Sequence, residues 1–226
     1  MPATIFTKDN FRSLCDKLAK KDEHLCSVVK QYGYPPVWTR SATFQTLIHI
    51  ILEQQVSLAS ARAALNKLKE KIGTITPKKV LSLSDEELKL CYFSRQKTVY
   101  ARCLATAIIS REISLSRLSS HRDAEIRQQL KTIKGIGDWT VDVYLIFALH
   151  RADIFPLGDL AMVTALKEIK QLSKQVSHAK LLLLADQWRP YRSVATMLLW
   201  HYYIEKKGIK GMKRQTSMVK REKLSL

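Results

Sequence analysis

The sequence predicts an all-α protein, and three observations carry that reading. Apolar residues recur at helical spacing through most of the 226 residues, and no segment sustains the alternation of a strand. Seven glycines and six prolines are few for a turn-rich β fold of this length. Segments that open on Ser, Thr or Asp and close on Gly or Lys punctuate the chain at helix length. With 46% hydrophobic residues, the chain has enough apolar mass for a real core.

Taken in order, residues 8–31 read as two short helices closed by Gly33 and the extended YGYPPVW loop. Ser41 is a plausible N-cap for a helix whose apolar face runs Phe44, Leu47, Ile48, Ile51 and Leu52. A break falls near Gln55-Val56-Ser57, after which ASARAALNKLKEKIG forms a helix ending at Gly73. Thr76-Pro77 and Ser84-Asp85-Glu86-Glu87 mark two further starts. The periodicity then predicts helices over about 95–111, 121–133, 138–150, 159–171, 177–187 and 190–206. Residues 1–206 make one folded region of two helical lobes with a central cleft, and 207–226 a basic, flexible tail.

Charge narrows the partners. Thirty-eight Lys and Arg against 20 Asp and Glu give +18. Residues 205–226 hold +6 of this, so the folded part keeps +12. Such an excess binds polyanions by releasing their counterions, which points to nucleic acid without naming a reaction. Cys15, Cys26, Cys91 and Cys103 are scattered and form no CxxC or Cys/His cluster, so neither a zinc nor an iron–sulfur site is indicated. The start MPATIFTKDN lacks a secretory pattern, and no run approaches the ~20 apolar residues of a membrane span. The expectation is a monomer that is neither secreted nor membrane-bound, with reduced thiols, in the cytoplasm or nucleoid of a bacterium or the nucleus of a eukaryote.

The most informative stretch is LKTIKGIGDWTVDVYLI, residues 130–146. A helix ends at Ile133, Lys134-Gly135-Ile136-Gly137 makes a turn, and a second apolar helix begins at Asp138. Glycine takes positive φ without steric cost and lets a ligand approach the backbone closely. Ile136 plugs the turn into the core. The N–H groups opening the next helix then face outward at its positive dipole end, an arrangement that binds phosphate. A plain αα-corner contains the same Gly-x-Gly, so the turn alone leaves both readings open.

Twenty residues after Trp139 stands Asp159, the end of Phe155-Pro156-Leu157-Gly158-Asp159 and the head of a helix. Such an acid is an ordinary N-cap. It is also the residue type needed to break an N-glycosidic bond, where a carboxylate beside the sugar stabilises oxocarbenium character and orients water.

The helix-hairpin-helix IKGIGDWT, the loop FPLGD and its terminal Asp together resemble the helix-hairpin-helix–Gly/Pro/Asp superfamily of DNA glycosylases, and within it the alkylbase enzymes of the 3-methyladenine DNA glycosylase II type. Ile51-Leu-Glu-Gln-Gln-Val-Ser-Leu-Ala59 resembles the segment that wedges into DNA. Gly137-Asp-Trp-Thr140 resembles the hairpin exit, and Trp188-Arg-Pro-Tyr-Arg-Ser-Val-Ala195 with Trp200 the late helix of the base pocket. The likeness runs in order over roughly residues 40–205.

That resemblance implies Asp159 as the catalytic carboxylate and Trp139 and Trp200 as base-pocket walls, with core packing the plainer alternative for both tryptophans. It implies Gln55 with Val56 as the DNA wedge, and Lys134, Gly135, Ile136 and Gly137 as the phosphate grip. Backbone carbonyls of Lys131, Ile133 and Ile136 would hold a structural Na or K ion, and catalysis would need no cofactor. Bifunctional relatives carry a lysine nucleophile where this chain has Trp139, so simple hydrolysis without strand cleavage is expected. Gly158 replaces a second acid common in the alkylbase branch, and Leu160 and Val143 stand where some relatives have aromatics. The large N-terminal β domain of some relatives has no counterpart. The implied substrate is duplex DNA bearing alkylated purines such as 3-methyladenine and 7-methylguanine, read by base flipping. The competing readings are a non-enzymatic helix-hairpin-helix DNA-binding protein, a glycosylase for oxidised or mismatched bases, and a basic RNA-binding protein.

Overall fold

A computed structural model describes residues 4–208. Among them are thirteen helices and no sheet, the one extended pairing being an isolated bridge between Ile5 and Arg151. The all-α expectation holds. The described chain divides into two compact units, one formed by Thr39–Leu149 and the other by Thr4–Trp38 with residues 150–208. Of the tail expected over 207–226, residues 209–226 lie outside the described residues.

The first unit holds α3 (Phe44–Glu53), α4 (Leu58–Ile72), α5 (Pro77–Leu81), α6 (Asp85–Leu90), α7 (Arg95–Ile109), α8 (Leu115–Leu118), α9 (Asp123–Lys131) and α10 (Asp138–Phe147). Helix α10 is its axis. Thr140 through Phe147 are all buried, as a helix apolar on every side must be, and it packs against α3 and α9. Leu47, Ile48, Ile50, Ile51 and Leu52 of α3 are also buried, and α3 packs in turn on α4 and α7. Expected caps recur at Thr76, Ser84 and Gly73, Ser84 pairing with Glu87 in a capping box, and Ser57, read as part of a break, caps α4.

Three details depart from the sequence reading. Helix α3 is capped by Thr43, whose hydroxyl accepts the Thr46 N–H, rather than by Ser41. The Ser41 carbonyl serves the same turn by accepting the Thr46 hydroxyl at 2.6 Å. Helix α9 ends at Lys131, not Ile133, and α8, at four residues, is too short to leave a periodic signal.

The second unit holds α1 (Lys8–Lys21), α2 (Glu23–Tyr32), α11 (Leu160–Ile169), α12 (His178–Asp186) and α13 (Arg192–Lys207). Its axis is α13, buried continuously from Ser193 to His201 and packed against α1, α2 and α11. Asp22 joins four elements. Its Oδ1 caps α2, while its Oδ2 accepts from Lys170 Nζ and Trp188 Nε1, each at 2.8 Å. Trp188 is completely buried, so it is a core residue of this unit. The four cysteines are free thiols, and no helix among the described residues is long and apolar enough to cross a membrane.

Candidate active site

In the first unit the hairpin runs from the end of α9 to the start of α10. Ile133 and Ile136 are buried and hold the turn down, with the Ile136 N–H donating to the Ile133 carbonyl at 3.0 Å. The two glycines do different work. Gly135 has φ +93, and a Cβ there would lie 2.1 Å from Cγ of Tyr100, so both backbone and neighbour require glycine. Gly137 is extended (φ −100, ψ −177) and exposed, and a Cβ there would meet open space. Its use is on the ligand side. As N-cap of α10 it has no side chain with which to cap the first-turn N–H groups, so the start of this helix carries no side-chain cap.

Lys134 is exposed beside this turn. Asp138, the one acid in the first turn of α10, is engaged by Lys131 at 2.7 Å and Arg127 at 3.0 Å. The Lys131 bond, opposed by slight burial and aided by Arg127, holds its carboxyl below the usual range. Trp139 follows on α10 and is half-buried.

The same unit carries the loop between α3 and α4. Gln55 sits at φ +56, a left-handed conformation that is uncommon for a non-glycine residue, and its side chain is exposed. Val56 is also exposed. The loop is pinned on one side by Ser57, which caps α4, and on the other by Gln54. The Gln54 side-chain amide donates to the Gly135 carbonyl and the Thr140 hydroxyl, both at 2.9 Å. A groove of about 640 Å³ is lined by Gln54–Val56, Tyr92, Lys97, Tyr100 and residues 131–137. It therefore brings together the sequence-predicted wedge and the sequence-predicted phosphate grip. Gln54, Lys97, Tyr92 and Tyr100 were not singled out from sequence. Tyr92 shows the same signature as Gln55, exposed at φ +64.

In the second unit, Pro156 and Phe155 are buried, the latter 6.3 Å between ring centres from Trp188. The chain is stitched to the start of α13 by the Ile154 N–H donating to Ser193 Oγ and by Arg192 gripping Asp153. The Asp159 N–H closes the loop onto the Pro156 carbonyl at 2.8 Å. Asp159 is 9% exposed and caps α11, its Oδ1 accepting the Met162 N–H at 2.8 Å. That oxygen also accepts Trp200 Nε1 at 2.9 Å. Both sequence readings of this acid are thus compatible with its place: it is an N-cap, and it is a carboxylate fixed by two donors. The indole contact was not foreseen, since Trp200 was read as a pocket wall or as core packing. Leu160, next in the chain, is 79% exposed, and Val143 is buried in α10.

No group of three or more His, Cys, Asp or Glu among the described residues is arranged to hold a metal ion. The turn carbonyls of Lys131, Ile133 and Ile136 are neutral oxygens, of which Ile133 O already accepts one N–H.

A helix-hairpin-helix whose second helix opens uncapped, together with a Gly/Pro loop ending in a fixed Asp, defines a class of nucleic-acid repair fold. The chain belongs to the HhH-GPD superfamily of base excision DNA repair proteins, whose model matches residues 48–190. It is 30% identical over 203 residues to the alkylbase DNA glycosidase-like protein mag2 of Schizosaccharomyces pombe, covering 86% of this chain and 95% of that one. The solved structure of the Schizosaccharomyces pombe 3-methyladenine DNA glycosylase Mag1 in complex with abasic DNA superposes with a TM-score of 0.77 at 28% identity, covering 83% of this chain and 95% of that one. The chain spans 64% of the length of a Bacillus subtilis relative, YfjP, to which it is 27% identical.

Proposed function

We propose that this protein is a monofunctional DNA glycosylase that acts as a monomer on duplex DNA and hydrolyses the N-glycosidic bond of alkylated purines. The observation that carries the reading is the fixed carboxylate of Asp159, held by the α11 N-terminus and Trp200 Nε1 in a chain of the base excision family. The similarity to an alkylbase glycosidase-like protein and to a 3-methyladenine glycosylase supports the choice of lesion.

In this reading the N–H groups opening α10 and the Lys134 ammonium grip a phosphate, the former by the helix dipole and the latter by charge. The damaged nucleotide leaves the stack, and Gln55 with Val56 fills its place. Trp139 and Trp200 receive the base, their ring faces favouring a cationic alkylpurine. The C1′–N bond then breaks, its electrons leaving with the base, which departs neutral because it entered as a cation. Asp159 stabilises the oxocarbenium left behind and takes the proton of the water that adds to C1′. The carbonyls of Lys131, Ile133 and Ile136 form a neutral donor set suited to a monovalent cation that would stiffen the turn, and no chemical step depends on it. Because Trp139 offers no amine, the product is an abasic site with the strand intact.

The test is excision from N-methylated duplex, scored as alkali-labile sites. Asp159→Asn should lower the rate at least about 100-fold while leaving duplex affinity within a few-fold. A parent protein that binds duplex and releases no base from a panel of methylated, oxidised and mismatched substrates sinks the enzymatic reading. Release confined to oxidised or mismatched bases overturns the alkylpurine assignment. A covalent adduct trapped by borohydride, or strand cleavage without alkali, overturns the monofunctional one.

A further inference from the structure

Gln54 lies where the two loops of the first unit meet. It ends α3 in extended backbone (φ −60, ψ 123), and the next residue is the left-handed, exposed Gln55. Its side chain points away from that tip into the hairpin, bridging 81 residues to Gly135 O and 86 to Thr140 Oγ1. The Gly135 carbonyl shares a peptide plane with the Ile136 N–H, which donates to Ile133 O. That plane is therefore held at both edges, by Gln54 on one and by the turn itself on the other. The next N–H along the chain is that of Gly137, at the open N-terminus of α10.

Two further contacts close off alternative arrangements. The Tyr100 ring fills the space where a Gly135 side chain would stand. Lys97 Nζ donates to the Leu52 carbonyl at 2.6 Å, tying α7 to the last turn of α3. Burial of Lys97 lowers its pKa, which is the cost of placing an ammonium on a helix-end carbonyl out of water.

We infer that Gln54 is a positioning residue that couples the phosphate grip to the wedge. It holds the 135–136 peptide and the Gln55 tip in one register, so that anchoring the strand and replacing the extruded base occur with a single fixed spacing. The inference rests on the reading of the hairpin and of Gln55 given under the proposed function, and it adds a specific residue that neither grips nor wedges.

The experiment uses the full chain with Gln54→Leu and Gln54→Glu, the second conserving shape while turning the donor into an acceptor that faces a carbonyl. Three quantities are read: affinity for undamaged duplex, the fluorescence of a 2-aminopurine beside an abasic analogue, and kcat and KM for a methylated duplex. Loss of two hydrogen bonds at this level predicts kcat down about tenfold or more in both variants, with a matching fall in the fluorescence change. Undamaged-duplex affinity and KM should stay within about threefold, and the melting temperature within a few degrees. Adding Thr140→Val to either variant should cost less than it costs the parent, because the shared bond is already gone. Variants that keep the parent's fluorescence change and kcat overturn the inference. So do variants that lose duplex affinity in step with kcat and melting temperature, which marks Gln54 as a fold staple only. A parent protein that fails to bind duplex, or binds it without changing the fluorescence, overturns the underlying reading of the hairpin and wedge and this inference with it.

Discussion

The Gly135–Gly137 turn and the Phe155–Asp159 loop do the same local job, since each delivers the chain into the N-terminus of a ten-residue helix, α10 in one case and α11 in the other. They finish it in opposite ways. Helix α10 is capped by Gly137, which has nothing to give its first-turn N–H groups. Helix α11 is capped by Asp159, which fills that position with its own carboxylate. One helix start carries no side-chain cap, and the other holds an internal anion in place. The difference teaches that, under the proposed function, one structural element would serve binding in one unit and chemistry in the other. It also predicts that the two will respond differently to substitution.

The largest effect separates the two glycines. Gly135→Ala must strain a positive φ and displace the Tyr100 ring, which together cost about 2–5 kcal/mol of stability. Gly137→Ala has ordinary φ and open space, and should cost under about 1 kcal/mol by denaturant titration. It should instead lower duplex affinity about tenfold, because its methyl group occupies the surface where a phosphate meets the backbone. Equal loss of stability in the two variants would break the distinction between an inward and an outward glycine.

On the other side, Trp200→Phe removes the Nε1 donor from Asp159 while keeping an aromatic ring. A hydrogen bond to a charged acceptor contributes about 1.5–3 kcal/mol, so kcat should fall at least about tenfold while duplex affinity holds. If excision is unchanged, Trp200 is only a wall and its indole N–H does not position the carboxylate.

Acid should distinguish the units as well. His49 in α3 is pushed down to about 4 by burial, with Glu53 opposing and Arg40, Arg62 and Lys69 adding to the fall. The folded unit therefore resists a proton that the unfolded chain accepts below about 6.5, and its stability drops as pH falls from there towards 4. At pH 5 the loss is about 2 kcal/mol. Asp22 in the other unit behaves oppositely. Burial pushes its carboxyl up, but Lys170 and Trp188 outweigh burial and hold it below its usual 3.8. Its contribution is present above that value and survives at pH 5. Hydrogen exchange at pH 7 and pH 5 should show α3 and α10 losing protection first, and His49→Gln should remove the difference.

The fold was legible wherever the determinants are local. Thr76 and Ser84 cap the helices read from them, Ser57 closes the expected break by capping α4, and Gly73 ends α4 as expected. Ser41 misled because Thr43, two residues on, also carries a hydroxyl and sits closer to the first turn. The candidate site was legible in its motifs and illegible in its bracing. Nothing in a sequence joins Gln54 to Gly135 across 81 residues, or Trp200 to Asp159 across 41, since such bonds exist only after the helices pack. The requirement for Gly135 was read correctly as conformational, but its second cause, the Tyr100 ring, lies 35 residues upstream on α7. Trp188, which opens the segment likened to the late helix and was given no role of its own, is a core residue. Composition does not reveal which acid Trp188 or Trp200 finds to bond.

The smallest effect tests the division of labour within the grip itself. If Lys134 meets a phosphate as a point charge, Lys134→Ala should weaken duplex binding only a few-fold and equally for damaged and undamaged sequence. It should also reduce the slope of log affinity against log salt by about 0.9, because one fewer counterion is released. Gly137→Ala supplies the contrast, since it blocks a neutral backbone contact and removes no charge. Its affinity loss should therefore leave the salt slope where it was. Binding measured from 50 to 200 mM salt for both variants separates the two kinds of contact. A Lys134→Ala slope equal to the parent's would show that the ammonium stays in solvent and that the uncapped start of α10 holds the strand with other charges of the basic body.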